Sequence, residues 1–513
     1  MRHERFDLTC LERCTTSTPR PHNAFESFFL GGFESSTHRR ADGRRLDLLA
    51  ATAHDRLVVE DYQALGHHGI TTVRDSVRWH LIEKSPGRYD WSSVLPMLHA
   101  ARGCGTQVIW DLCHYGWPDD IDIWSADFVE RFARFAAATA ALIRDEGEGT
   151  PYYCPINEMA FWAWAGGHVG RFNPCALDRG PELNRQLVRA AIAASRAIRI
   201  VDPRAKFVCA EPLINVLAAP DSPQDIQAAE SKRLSQFESL DLLTGRLEPE
   251  LGGSPDLLDL VGLNFYPDNQ WYFGGSTIPL GHHAYRPLHE MLAEAERRYD
   301  RPVFIAETGA EGSARPAWLH YVCSEVETAR DLDVTVEGVC LYPVLDYPGW
   351  ENERVCPVGL LSMPDERGRR TVCSTLAREL TRQQQILTAG PRVADGTRVL
   401  SFLDAAHLDR VAQRSNEAQV VSEAGLTRFE DPAIPHDVDA VASLDRLQPV
   451  RNQNDRAVAF QRSERLDEVA FVFSIKRACR LVEYEDRSLA EERTCDSDPL
   501  SLAARQVLPA FRE

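Results

Sequence analysis

Short runs of β-branched and aromatic residues alternate along this chain with longer stretches whose apolar positions recur every three or four residues. The short runs are Phe28–Phe33, Thr71–Val77, Gln107–Cys113, Tyr152–Ile156, Lys206–Ala210, Leu260–Phe265, Val303–Ala306 and Gly338–Tyr342. Several are apolar at consecutive positions, so both strand faces are to be covered, as in a buried parallel sheet. Between them the period becomes that of an amphipathic helix. The clearest such stretch begins at Ser125, whose hydroxyl can cap a helix N-terminus, and sets Phe128, Phe132, Phe135 and Leu142 on one stripe. Similar patterns cover Asp55–Leu65, Ser93–Ala101, Glu182–Ile200, Arg286–Arg298, Ala317–Leu332 and Thr375–Leu387. The charged, irregular stretch Asp225–Leu243 supplies the fifth crossover.

Eight strand–helix units in succession predict an α/β fold, a (β/α)8 TIM barrel with a C-terminal extension. Gly31-Gly32-Phe33-Glu34, after the first strand, lacks the third glycine of a dinucleotide fingerprint, which weighs against an open doubly wound sheet. Residues 1–25 read as a flexible lead-in, 26–388 as the barrel, and 389–513 as an extension or small accessory region rich in charged runs such as Tyr484-Glu485-Asp486-Arg487.

Length and composition fit this picture. The 513 residues, 44% hydrophobic and 26% charged, allow one large core with an appendage. A formal net charge of −19 disfavours nucleic acid and anionic membrane as partners. No apolar run reaches the length of a bilayer, and Met1 to Arg20 is polar, unlike a secretory signal, so the expected location is the cytoplasm. The 13 cysteines are odd in number and scattered, and Cys10 and Cys14 have no second pair to complete a metal motif. Reduced thiols, no metal site and no cofactor are therefore expected.

In a (β/α)8 barrel the functional side chains stand at the C-terminal ends of the strands. Those ends carry Arg74 to His80, His114 to Pro118, Asn157-Glu158, Glu211, Asn264-Phe265-Tyr266, Glu307-Thr308-Gly309 and Asp346 to Trp350. Rings stack on the apolar faces of a pyranose while carboxylates, Asn and His bond its hydroxyls, so this mouth suits a sugar. Cleaving a glycosidic bond takes two carboxyl groups, one protonated and one ionised. Glu158 and Glu307 end the fourth and seventh strands, three steps apart round the ring, and so face each other. Arg74 beside Glu307 would hold that group ionised, while burial would keep the proton on Glu158. Asp75, Asp111, Glu211 and Asp346 read as structural partners for barrel arginines and loop amides, and Glu34 is assigned no chemistry.

Asn157-Glu158 and Ile305-Ala306-Glu307-Thr308-Gly309 resemble the acid/base and nucleophile motifs of retaining glycosidases of the (β/α)8 clan. The likeness is greatest to glycoside hydrolase family 1, the β-glucosidase family. Phe29-Leu30-Gly31-Gly32, Arg74 to Trp79, His114-Tyr115-Gly116-Trp117-Pro118, Asn264-Phe265-Tyr266 and Leu345-Asp346 to Trp350 resemble its other strand-end motifs, over residues 28–388. The resemblance implies a retaining β-glycosidase or transglycosidase acting on a carbohydrate or glycoside. In it Glu158 is the acid/base and Glu307 the nucleophile. It also implies that Asn157 contacts the sugar 2-hydroxyl, that Arg74 and Tyr266 orient the nucleophile, that His114 binds a glycone hydroxyl and that Trp350 lines the pocket. Two sugar-gripping positions differ: Arg39, with His38 beside it, replaces a glutamine, and Gly349 replaces a glutamate, with Glu351 two residues on. Arg39 predicts a taste for an anionic or phosphorylated sugar. The same departures sustain an alternative, a sugar-binding barrel that has lost turnover.

Overall fold

The computed structural model describes residues 24–147, 149–352 and 354–387, together with the pairs 426–427 and 441–442. Eight parallel strands close into a barrel: β1 (Phe29–Gly32), β2 (Thr72–Ser76), β3 (Gln107–Asp111), β4 (Tyr152–Cys154), β5 (Lys206–Pro212), β6 (Leu260–Asn264), β7 (Val303–Thr308) and β8 (Val336–Leu341). Each strand pairs with its neighbours in sequence, and β1 closes on β8. Every strand expected from the sequence is present.

The helices that cover it are α1 (His54–His67), α2 (Leu95–Cys104), α3 (Ala126–Glu146), α4 (Gly180–Val201), α5 (Ile226–Leu234), α6 (Leu288–Tyr299), α7 (Arg315–Asp331) and α8 (Ser374–Leu387). Ser125 caps α3 by accepting from the Phe128 amide. Phe128, Phe132 and Phe135 are fully buried there and pack round Trp79, whose ring stacks on Phe135 at 5.4 Å. Truncating any of these phenylalanines to Ala would cost about 3–5 kcal/mol. The fifth crossover is broken, as its irregular pattern implied: α5 gives way to a 3-10 turn at Ser235–Phe237 and a short helix at Glu238–Leu243.

Strand alternation sorts side chains into two cores. Leu30, Ile109, Cys154, Val208, Ala210, Phe304, Ala306, Cys340 and Tyr342 fill the barrel interior, while Phe29, Val73, Val261 and Ile305 pack outward against the helices. Gly32 is required by this interior, since a Cβ there would lie 2.1 Å from the Tyr342 ring. Phe25, at the end of the expected lead-in, is buried edge-on to Phe304 with ring centroids 5.1 Å apart.

Residues 1–23 lie outside the described residues, as does nearly all of 389–513. Of that region only Leu426–Thr427 and Val441–Ala442 are described, and they pair antiparallel. Cys113, Cys154, Cys209, Cys323 and Cys340 are buried free thiols, whereas Cys356 is disulfide-bonded, which the scattered spacing did not foretell.

Candidate active site

Residue parity on β2 places the first functional group. Thr72, Arg74 and Ser76 alternate with the outward-facing Val73, so Arg74 enters the barrel and is buried. Its Nη1 donates to Glu307 Oε1 at 3.0 Å and to the Ala306 carbonyl at 2.9 Å. Its Nη2 donates to Asp111 Oδ2 at 2.7 Å and Asn157 Oδ1 at 2.9 Å. One guanidinium thus ties together the ends of β2, β3 and β7 and the turn after β4.

Glu307 takes a second hydrogen bond from the Tyr266 hydroxyl, 2.9 Å from Oε2. Glu158 is held differently. Its Oε1 accepts from Asn264 Nδ2 at 2.8 Å, and its Oε2 from the Tyr115 hydroxyl. The parallel register sets Asn264 opposite Glu307, so β6 supplies the donor that reaches across to the other carboxyl. Glu158 has φ of +46°, a left-handed conformation that starts the short helix Met159–Trp162. Backbone held there by a non-glycine residue is strained and needs support from its surroundings. Glu211, at the end of β5, gives some of it by accepting from the Ala160 amide at 3.1 Å. Burial, with the Glu158 charge nearby, pushes the Glu211 carboxyl well above its usual range.

Burial raises both Glu158 and Glu307. The Glu158 charge adds to the effect on Glu307, which is pushed up to about 8 in spite of Arg74 and His114. With Glu158 ionised, Glu307 therefore keeps its proton at neutral pH, and the two carboxyls hold one proton between them. The donors decide where it rests. Glu307 receives a cationic donor, Arg74, whereas Glu158 receives only neutral ones, so the charge favours Glu307 and the proton Glu158.

His114 Nδ1 lies 3.0 Å from Ser35 Oγ and 3.5 Å from Asp111, and Asn157 Nδ2 is 3.1 Å from its Nε2. Burial lowers the His114 pKa, but Asp111 and the other carboxylates outweigh it and raise the value. The second N–H of the Asn157 amide reaches the Tyr115 hydroxyl at 3.1 Å. Trp350 stands on an aromatic wall, with ring centroids 4.7 Å from His38 and 5.8 Å from Tyr115. The structure thus gathers all seven residues expected from the sequence: Glu158, Glu307, Arg74, His114, Asn157, Tyr266 and Trp350.

Other members of the site are not marked out by the sequence alone. Tyr115 was visible only as part of a strand-end motif, although its φ of +65° marks a residue fixed by its surroundings. In the sequence Asn264 is one letter of a strand-end motif, and its contact with Glu158 follows from strand register alone. Asp111 partners a barrel arginine as expected, and that arginine is Arg74. Glu34 is buried and its charge acts on His114, Glu307 and Tyr342, so it belongs to this cluster. Trp79 and Trp117 are core residues. Arg39 is bound by Asp119 and donates to the Gly43 carbonyl at 2.7 Å; His38 is the neighbour that joins the aromatic wall. Glu351 pairs with Arg171.

Around the carboxyl pair, His38 Nδ1, Arg74 Nε, Asp111 Oδ1, Asn264 Oδ1, Tyr342 Oη and Trp350 Nε1 are buried without a partner among the described residues. Buried polar atoms are nearly always paired, so a cluster of exceptions at one mouth matches a ligand rich in hydroxyl groups. Among the described residues no group of three His, Cys, Asp or Glu side chains is placed to hold a metal ion.

The sequence matches no protein-family model and no curated protein. Solved structures do match. The AHE enzyme from Alicyclobacillus herbarius is 18% identical with a TM-score of 0.58, the match covering 70% of this chain and 98% of that one. The family 1 β-glucosidase from Thermotoga maritima is 16% identical with a TM-score of 0.57, over 70% of this chain and 97% of that one. A Thermotoga maritima β-glucosidase in complex with glucoimidazole is 16% identical with a TM-score of 0.58, over 72% and 100%. The barrel has the fold of the family 1 β-glucosidases.

Proposed function

We propose that the protein is a retaining β-glycosidase acting on a glycoside at the open end of the barrel. The observation that carries this reading is the pair Glu158 and Glu307, one held by neutral donors and the other by a cation, in a barrel of the β-glucosidase fold. In the first step Glu307 attacks the anomeric carbon as the bond to the leaving oxygen breaks, and Glu158 gives that oxygen its proton. In the second, Glu158 takes a proton from water, or from an acceptor hydroxyl, whose oxygen displaces Glu307. Tyr266 and Arg74 keep the nucleophile ionised and aimed. No cofactor is needed.

The expected location remains the cytoplasm. Arg39 no longer argues for an anionic sugar, because Asp119 neutralises it. His38, with burial and nearby cations pushing its pKa down to about 3, offers a neutral ring to the glycone instead.

The test is labelling and turnover with an activated 2-fluoro-glycoside panel. Covalent labelling at Glu307, loss of turnover in Glu307→Gln, and a fall of about 10²–10⁴-fold in Glu158→Gln are expected. Saturable sugar binding without labelling or turnover across the panel would instead support the sugar-binding barrel, the reading that His38 and Gly349 keep open.

A further inference from the structure

A cavity of about 250 Å³ lies behind the turn that follows Glu158. Its walls are largely apolar, with Ala160, Phe161, Trp164, Pro212 and Ile214 among them, and neither Glu158 nor Glu307 lines it. Lys232, on α5, also lines this space, its ammonium 5.8 Å from the Trp164 ring centroid. Among the described residues Lys232 has no ion pair. The acids that serve this helix are committed elsewhere: Glu230 pairs with Arg233 at 2.8 Å, and Glu294 with Arg233 at 2.8 Å and Arg286 at 2.6 Å. Glu238 lines the cavity too, without bonding to Lys232.

Of the other polar groups that line it, His168 faces Asp178 at 3.4 Å and Asn184 Oδ1 accepts from Ser239 Oγ at 2.7 Å, while Gln236 and Ser235 are satisfied from within. Gln236 Nε2 donates to the carbonyls of Ile214 and Arg233, at 3.0 and 2.6 Å, and its Oε1 accepts from the Ile214 amide at 2.8 Å. Ser235 Oγ donates to the Lys232 carbonyl at 2.7 Å. An unpaired cation in an apolar wall is costly to keep, and desolvation does lower the Lys232 pKa. An anion entering the cavity would offset that cost.

We infer that this cavity binds a small organic monocarboxylate with a flat apolar body, its carboxylate on Lys232 and its body against Phe161 and Trp164. One cation and apolar walls match one carboxylate, whereas a phosphate would leave most of its oxygens without donors. The ligand is separate from the substrate. Phe161 is the shared wall, its ring centroid 5.9 Å from Tyr115 and 6.3 Å from Trp350, so occupancy is felt beside Glu158.

Benzoate is the probe, with benzamide as its uncharged counterpart, titrated calorimetrically into the full chain. Saturable benzoate binding is expected, weakened about tenfold or more in Lys232→Met and for benzamide, since a charge-assisted hydrogen bond is lost. Lys232→Met removes a desolvated, unpaired charge, so its Tm should equal or exceed that of the parent. Glu307→Gln should bind benzoate as the parent does, which separates this site from the proposed reaction. Absence of saturable benzoate binding, equal affinity in Lys232→Met, equal affinity for benzamide, or loss of binding in Glu307→Gln would each overturn the assignment.

Discussion

Arg74 and Asp75 are neighbours in sequence, yet β2 sends them to opposite sides of the barrel wall and into two very different charge clusters. On the outer side His54 of α1 places Nε2 2.9 Å from Asp75 and Nδ1 2.8 Å from Asp61. Tyr62 donates to Asp75 at 2.7 Å, and Arg370 reaches Asp61 at 3.0 Å. Both imidazole nitrogens face carboxylates, so both carry protons. Burial opposes that charge, but Asp75 and Asp61 outweigh it and raise the His54 pKa to about 9. Two cations meet two anions, and none of these side-chain atoms is left unpaired. On the inner side Arg74 and His114 face Asp111, Glu158, Glu307 and Glu34, and several polar atoms lack partners. The outer cluster is balanced and closed, as a structural fastening should be. The inner one has an excess of carboxyls that it relieves by holding a proton, which is what proton-transfer chemistry needs.

The comparison breaks most directly at Arg74. Arg74→Met removes the cation from Glu307 and Asp111 at once, so turnover should fall below one per cent of the parent, about 10²-fold or more. The fold should also lose about 3–5 kcal/mol in chemical denaturation, because buried carboxylates lose their partner. A variant that keeps full turnover would place Arg74 outside the site.

On the other face, His54→Gln should cost about 3–5 kcal/mol of stability while leaving kcat within about threefold at a temperature where the variant is folded. The pH dependence sharpens this. A folded pKa raised from 6.5 to about 9 gives stability that is complete below pH 6.5 and lost as pH climbs through 9. The penalty of His54→Gln should therefore be large at pH 6 and much smaller at pH 10. The inner pair predicts a bell-shaped profile of kcat/KM whose alkaline limb, where the shared proton leaves, lies above the usual carboxylate range because burial raises both groups.

The smallest effect is expected at Arg39, whose partner Asp119 is largely exposed. Arg39→Gln should change stability by about 0–1 kcal/mol and leave the ratio of activities on phosphorylated and neutral glycosides unaltered. A change in that ratio would restore Arg39 to the sugar site.

Much of this was legible in the chain. The alternation of short apolar runs and helical stripes located all eight strands, because burial on both faces leaves a continuous pattern. Barrel topology then makes every strand end a candidate, which brought Glu158 and Glu307 forward. The Arg39 expectation rests on counting positions through a loop, and loop length says nothing about which neighbour turns inward; in the structure its guanidinium meets Asp119 and the Gly43 carbonyl. His38 and Arg39 are adjacent, and only packing against Phe172 and Trp350 chose the histidine.

By itself the sequence determined the fold class, the ends of the strands and the carboxyls that stand there, since these follow from periodicity and local order. Only the tertiary structure decided which donors each carboxyl receives. Asn264 reaches Glu158 and Tyr266 reaches Glu307 although the two are two residues apart, and Asp75 leaves the site that Arg74 enters. Those outcomes depend on register between strands and on curvature of the closed sheet, quantities set by distant parts of the chain together.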